Sequence, residues 1–555
     1  MAEMVLPGVY IEVRPEGLIV PGRVTVGNLG VVGTANKGPV GVSVILGSYT
    51  EAREQFGNYD SFGTPNELTL VRALELAYNH GATTVIAVRV ASGTAAKADF
   101  KLSSSSGDCC RLTAKSEGGW GNEIEINVWD AEEDSFVSDE AHSGGGAITL
   151  TNTPIQSARN RISVFVDATK RTTLLNIVYN TGGPPALGGV DINTTTRALT
   201  FNAAEVPAAA DKVTASYVVG KSDSRKITLR YRGAQEVYTV ASGRDLAADI
   251  AKTSVLVDGT GLANQDEPPT KFSSDDDFQL FGTGANTRGD DGAVGANYND
   301  GLEKLLNEPA HIIIAAGQDN SFGDELDAHC QQASTDLVKR DRIAVVGTAL
   351  GATVDSIRGH NLDSDRVIFV APGIKVTDAA ATPPVEVTLP GAYAAAAVAG
   401  LLAGLSAHIS PTNKTIHVGG LQRRYTAAEL TQLVQSRVLA LEERQGFRIV
   451  KGITTSSNTA WHQITTRRIV DFAKYGVRSA ANPYIGRLNN ERVRAALKAT
   501  INSFLQEMVD DEMLVSYDLE VSATRDEEIK GIARVTLVLR PTFSIDFIKV
   551  TMFLF

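Results

Sequence analysis

Thr84-Val85-Ile86-Ala87-Val88-Arg89-Val90 is the stretch that decides the fold. It is short, rich in β-branched residues and apolar almost throughout, the pattern of a strand buried on both faces. Working back from it, residues 67–79 place Leu68, Val71, Leu74, Leu76 and Tyr78 in a helical stretch, and Leu29-Gly30-Val31-Val32-Gly33 reads as an earlier buried strand. Strand, helix, strand in that order implies a parallel sheet. The pattern returns at His311–Ala316, Ile343–Val346 and Val367–Val370, each running into a glycine-containing loop, with a helix expected from Asp324 to Arg340. From about Ala91 to about Asp300 the chain is instead rich in Gly, Ser, Thr and Asp. Short alternating strands recur there at Ile124–Trp129, Arg161–Val166 and Lys226–Tyr231, divided by turn signals such as Gly182-Gly183-Pro184-Pro185. The fold class is therefore α/β: a core with a parallel sheet, interrupted by an all-β insertion of one or two domains.

The expected organisation is an N-terminal arm (1–22), the first part of the core (23–92), the outer β-rich insertion (93–300), the second part of the core (301–450), a C-terminal domain (451–542) and a closing arm strand (543–555). Helices are expected near 427–441, 465–474 and 491–508, and strands at 514–521 and 533–540. The closing arm is unusual. Phe547, Ile548, Val550, Met552, Phe553, Leu554 and Phe555 put apolar side chains on both faces of one strand, so both faces need cover and both edges need hydrogen-bond partners. Val9, Tyr10, Ile11 and Val13 form a second short strand in the N-terminal arm. A chain with an adhesive strand near each end can lend both to neighbouring copies by strand addition.

The hydrophobic fraction of 43% and charged fraction of 21% are ordinary for a globular chain, so large cores are expected and disorder is not. A net charge of -12 argues against nucleic acid as the main partner. The segment from Lys414 to Lys498 runs the other way, with 15 Lys/Arg against 5 Asp/Glu. It is either a solvated basic face or a docking surface for an acidic partner. No secretory leader is read at Met1–Met4, and the alanine-rich Tyr393–Leu405 is too short to span a bilayer, reading as a buried helix. Cys109, Cys110 and Cys330 form neither a disulfide framework nor a zinc site. They are either reduced thiols or cross-links between copies, an idea that takes the Cys109-Cys110 pair to lie on an exposed loop.

Catalytic signatures are missing. There is no phosphate loop with its lysine, no Gly-x-Ser-x-Gly elbow, and no His-Glu-x-x-His among the eight histidines. Asp275–Asp277 and Asp290-Asp291 do not follow a calcium-loop pattern. The expectation is no catalytic, metal or cofactor site. The competing readings are a hydrolase-type enzyme on the α/β core or a surface adhesin on the insertion.

Pro7-Gly8-Val9-Tyr10-Ile11-Glu12, then Gly27–Val40 with Phe56-Gly57, resembles the N-terminal region of contractile phage tail sheath proteins. Asn79–Val90 is similar to that family's first helix-to-strand passage, Gly119-Trp120-Gly121-Asn122 to its entry into the outer domain, and Thr466-Arg467-Arg468-Ile469 to its Arg-Arg element. The resemblance implies a subtilisin-like core without the catalytic triad and an outward-pointing insertion. It also implies arms that knit subunits into stacked hexameric rings around an inner tail tube protein, with baseplate and tail terminator proteins at the ends. Such a sheath sits on a virion tail assembled in the host cytoplasm, or on a tailocin or extracellular injection system, and contracts to drive the tube through an envelope. Neither nucleic acid nor membrane insertion is part of that picture. Arg467, Arg468, Arg487, Arg492 and Arg494 are the expected tube- or neighbour-docking residues.

Overall fold

Nine strands make the principal sheet: β1 (Leu29–Gly33), β2 (Ser43–Leu46), β3 (Val85–Arg89), β4 (Ile312–Ala315), β5 (Ile343–Gly347), β6 (Val367–Ala371), β7 (Thr415–Ile416), β8 (Leu439–Glu443) and β9 (Phe447–Ile449). The computed structural model describes residues 27–63, 68–153, 155–166, 170–174 and 176–554. The N-terminal arm strand expected at Val9, Tyr10, Ile11 and Val13 lies outside them, as does Phe555. The strand order is β2-β3-β1-β4-β5-β6-β8-β9-β7. The run from β3 to β8 is parallel, with Leu29 opposite Ile312 and Val345 opposite Ile368. The flanking β2, β9 and β7 are antiparallel. Every residue of β1, β3, β4, β5 and β6 is buried, as a parallel sheet covered on both faces requires.

Two compact units divide the chain. The first takes residues up to Ala35, Gly41–Val90 and Ala296 onward; the second takes Asn36–Val40 and Ala91–Gly295. In the first unit, helices α1 (Leu70–Asn79) and α2 (Gly391–Gly404) pack against each other, and α2 also lies on β5 and β6. Small residues permit the approach: a Cβ on Gly400 would stand 2.2 Å from the Ala77 carbonyl oxygen. This α2 is the alanine-rich segment, buried from Gly391 to Gly400. Among the described residues no helix is long and apolar enough to cross a membrane. Helices 298–305, 323–333 and 427–435 supply Leu302, Leu305, Leu326, Cys330 and Leu433 to a cluster with Val32, Ile313, Val346 and Phe369, to which α1 and α2 add nothing.

Three expected boundaries change. The helix expected over 427–441 stops at Gln435, because Arg437 takes φ 66° and the chain turns into β8. The helix expected to reach Arg340 ends at Ala333. The helix expected over 465–474 continues to Ala481.

The second unit is built of sheets of three and four strands around two cores. One gathers Trp120, Ile126, Leu229 and Phe281; the other gathers Ile162, Val190, Phe201 and Tyr217. Trp120 is 1% exposed, and its Nε1 donates to the Ser116 carbonyl and hydroxyl oxygens. A helix at Gly243–Thr253, capped by the Ser242 hydroxyl accepting from the Asp245 amide, joins the β-structure.

The C-terminal part of the first unit has helices α3 (Ile464–Ala481) and α4 (Glu491–Asp510) and a ribbon of β10 (Leu514–Ser522) and β11 (Arg534–Pro541). Asn490 caps α4 by accepting from the Val493 amide. Ile469, Ala473, Leu497, Ile501, Phe504 and Leu505 form the core between the helices, and Tyr517, Leu519, Val521, Val535, Leu537 and Leu539 of the ribbon pack on it.

Candidate functional site

α3 is tied to the amino-terminal edge of the principal sheet by buried charge. Asp341-Arg342 immediately precedes β5 and Asp365-Arg366 immediately precedes β6. Arg467 Nη1 meets Asp365 Oδ2 at 2.9 Å, and its Nη2 meets Asp471 Oδ1, one turn on, at 2.6 Å. Arg366 Nη1 reaches Asp471 Oδ2 at 3.0 Å, while its Nη2 stands 3.5 Å from Asp341 Oδ1. Asp341, wholly buried, also takes Lys474 and Arg478. Among the described residues Arg468 has no carboxylate partner. Its Nη2 donates to the Leu405 carbonyl at 2.9 Å, where α2 ends, a favourable place for a cation at a helix C-terminus. Burial pushes its guanidinium down to about 10.

Arg342 donates to the carbonyls of Leu305, Leu306 and Glu308 and to His329 Nε2 at 2.9 Å. Since a guanidinium only donates, Nε2 accepts and His329 is neutral. Burial and then Arg342 hold it down to about 3. His311 is held to about 4 by burial, then Arg342 and Arg468. This cluster is a structural joint: its ions face one another and carbonyl oxygens.

The surface is different at the ribbon and the arm. The ribbon has two strands, so each has one outer edge without a ladder partner among the described residues. After Pro541 the chain makes no strand through Leu554. Over 543–554 the strand expected at 543–555 is therefore not formed in the single subunit, since a strand needs a partner to close its hydrogen bonds. The arm is held at its root: Asp546 accepts from Gln463 Nε2 at 3.4 Å and stands 3.5 Å from Lys451 Nζ. Beyond that point Phe547, Ile548, Val550, Met552, Phe553 and Leu554 are 72–98% exposed.

Comparison with known families decides the assignment. Residues 291–455 match the phage tail sheath protein central domain, and residues 456–555 match the phage tail sheath C-terminal domain. The chain belongs to the contractile tail sheath family. Two solved structures share the fold of this sheath-family chain. The sheath tail protein of Desulfitobacterium hafniense is 15% identical, with a TM-score of 0.57 over 96% of this chain and all of that one. That of Listeria innocua is 13% identical, with a TM-score of 0.58 over 95% of each. Comparison with curated protein sequences gives no match.

Several expected site residues move. Arg467 and Arg468, expected at a docking surface, are 5% and 4% exposed; their partners lie inside the subunit. Arg494 is half-buried and binds Glu528 at 2.9 Å. Arg487 and Arg492 stand on the surface, near the loop between α3 and α4. The exposed-loop reading of Cys109-Cys110 is wrong: both lie on the strand Asp108–Ala114, and with Cys330 all three cysteines are wholly buried. Burial raises their thiols to about 11, 12 and 12. A cross-link between copies through them is incompatible with that burial.

The carboxyl edge of the sheet, where ligands bind in open α/β folds, holds a depression of about 280 Å³ lined by Thr348, Thr353, Gln422, Arg423 and Tyr425 among others. Its lining has no carboxylate, cysteine or histidine. No cluster of metal-ligating side chains occurs among the described residues. Sequence reasoning missed Asp341, Arg366, Asp471 and Asp546. The first two stand directly before apolar strand runs, a placement that signals a charge buried at a strand start.

Proposed function

We propose that this chain is a non-enzymatic structural subunit of a contractile tail sheath that polymerises through its terminal arms. The observation that carries the reading is the combination of an exposed, apolar, strandless arm with a ribbon whose two outer edges have no ladder partner among the described residues. An arm from one copy, added to the ribbon of another, closes backbone hydrogen bonds and covers Phe, Ile, Val, Met and Leu side chains. Each such side chain is worth roughly 1.5–3 kcal/mol when fully buried. The buried joint at α3 ties the C-terminal helices that carry the ribbon to the parallel sheet, so these elements can reorient together.

In this reading the core is the subtilisin-like sheath domain facing an inner tube protein. Stacked hexameric rings form the sheath, baseplate and terminator proteins close its ends, and the assembly sits on a tail put together in the host cytoplasm. Arg487 and Arg492 remain the docking residues, being at the surface. The energy for contraction is set at assembly, so the contracted state must make the better contacts. Electron microscopy of the purified full chain tests this: tubes or stacked rings are expected, and a monomer at high concentration contradicts it.

A further inference from the structure

The depression at the carboxyl edge of the principal sheet, about 280 Å³, falls near the small end of ligand sites. Part of its lining is rich in unused hydrogen-bond donors. Thr348 follows β5 directly and is 1% exposed, and its hydroxyl has no hydrogen-bond partner among the described residues. A buried hydroxyl left unpaired costs free energy that a bound acceptor would recover. The Gln422 side-chain oxygen accepts from the Gly373 amide at 3.1 Å. That bond fixes the orientation of the side-chain amide and leaves its Nε2 hydrogens as donors.

Arg423 donates one N–H to Glu429 at 2.6 Å, and the rest of its planar fork is unused among the described residues. The other Glu429 oxygen accepts from the Thr426 amide and hydroxyl, so that carboxylate is committed to the helix start at Ala427 and is not part of the lining. Burial pushes the Tyr425 phenol up to about 12, so it stays protonated and a donor at neutral pH. The lining carries no carboxylate, and Ala352, Ile357 and Pro372 make its apolar part. Its one cation, shared with Glu429, suits a single negative charge better than two. A carboxylate matches the planar fork with two oxygens.

We infer that this depression is a binding site for a small organic monocarboxylate with an apolar or aromatic body. The carboxylate takes the donors of Arg423, Gln422 and Thr348, and the body lies against Ile357, Pro372 and the Tyr425 ring. The site is separate from the arm and the ribbon, so it stands or falls independently of polymerisation.

The test is equilibrium dialysis of radiolabelled benzoate against the full-length protein. Unlabelled benzamide, a neutral body of the same shape, and inorganic phosphate, an anion without a body, serve as competitors. Saturable binding of about one benzoate per chain is expected, with both competitors about tenfold or more weaker than benzoate. Thr348→Val removes the hydroxyl at nearly constant volume, and Arg423→Gln removes the cation at a half-exposed position. Each is expected to weaken benzoate about tenfold or more while keeping the urea midpoint of the parent. No saturable binding by the parent up to about 10 mM benzoate overturns the inference. So does binding that both substitutions leave unchanged. Displacement by benzamide as strong as by benzoate overturns the carboxylate assignment, and equally strong displacement by phosphate overturns the apolar body.

Discussion

Gly476 on α3 lies under the ring of Phe504 on α4. A Cβ added there would be 1.8 Å from Phe504 Cζ and 2.3 Å from Cε1 and Cε2, well inside any tolerable contact. Gly476→Ala gains about 1 kcal/mol of helix propensity. Against that, overpacking costs about 1–3 kcal/mol. Moving the Phe504 ring also spoils its stack on Phe472, now 5.8 Å between centroids, a further loss of about 0.5–1.5 kcal/mol. The net expectation is about 0.5–3.5 kcal/mol of destabilisation in the C-terminal part, read as a lower urea midpoint. The ribbon rides on these helices, so assembly should weaken as well. Gly476→Ala with Phe504→Leu, which frees the space, should recover much of the loss. A double-mutant cycle would then show a coupling of about 1 kcal/mol or more. If Gly476→Ala alone is as stable as the parent, the helix contact is not as described and the reasoning fails.

Two further outcomes concern the buried joint. Asp471→Asn leaves Arg366 and Arg467 short of a carboxylate while both stay buried; removing one partner of such a pair costs about 3–5 kcal/mol, measurable by chemical denaturation. A variant as stable as the parent would show that the cluster holds nothing. His311 and His329 titrate at about 4 and about 3 in the fold against about 6.5 unfolded. Depressed folded values mean that their contribution is present above pH 6.5 and is lost progressively as pH falls from about 6.5 to the folded values of about 4 and about 3. For His311 alone it is about 3 kcal/mol. Replacing His329 by Gln should flatten the acid limb of the stability–pH profile; an unchanged limb would contradict the assignment.

The α/β core was legible because its strands are continuous apolar runs. Ile312–Ala315, Ile343–Gly347 and Val367–Ala371 are fully buried, the pattern of short strands in a parallel sheet covered on both faces. Arg467 and Arg468 misled because a charge count records sign and not depth. Asp471 lies one turn along the same helix, but Asp365 and the Leu405 carbonyl come from distant parts of the chain, so the burial is a tertiary fact. Cys109 and Cys110 misled for the converse reason: the neighbouring Ser103–Gly107 turn is polar, but the cysteines lie on the strand that follows. The arm reads from its sequence as a strand, yet residues 543–554 form none in the subunit, where no ladder partner stands beside them among the described residues.

On the proposed function the arm is the connector between subunits. The most direct measurement compares the full chain with one lacking residues 547–555, by electron microscopy and by thermal unfolding under the same conditions. The shortened protein is expected to keep the unfolding temperature of the parent and to form no tubes. Tubes formed by the shortened protein as readily as by the full chain would contradict it.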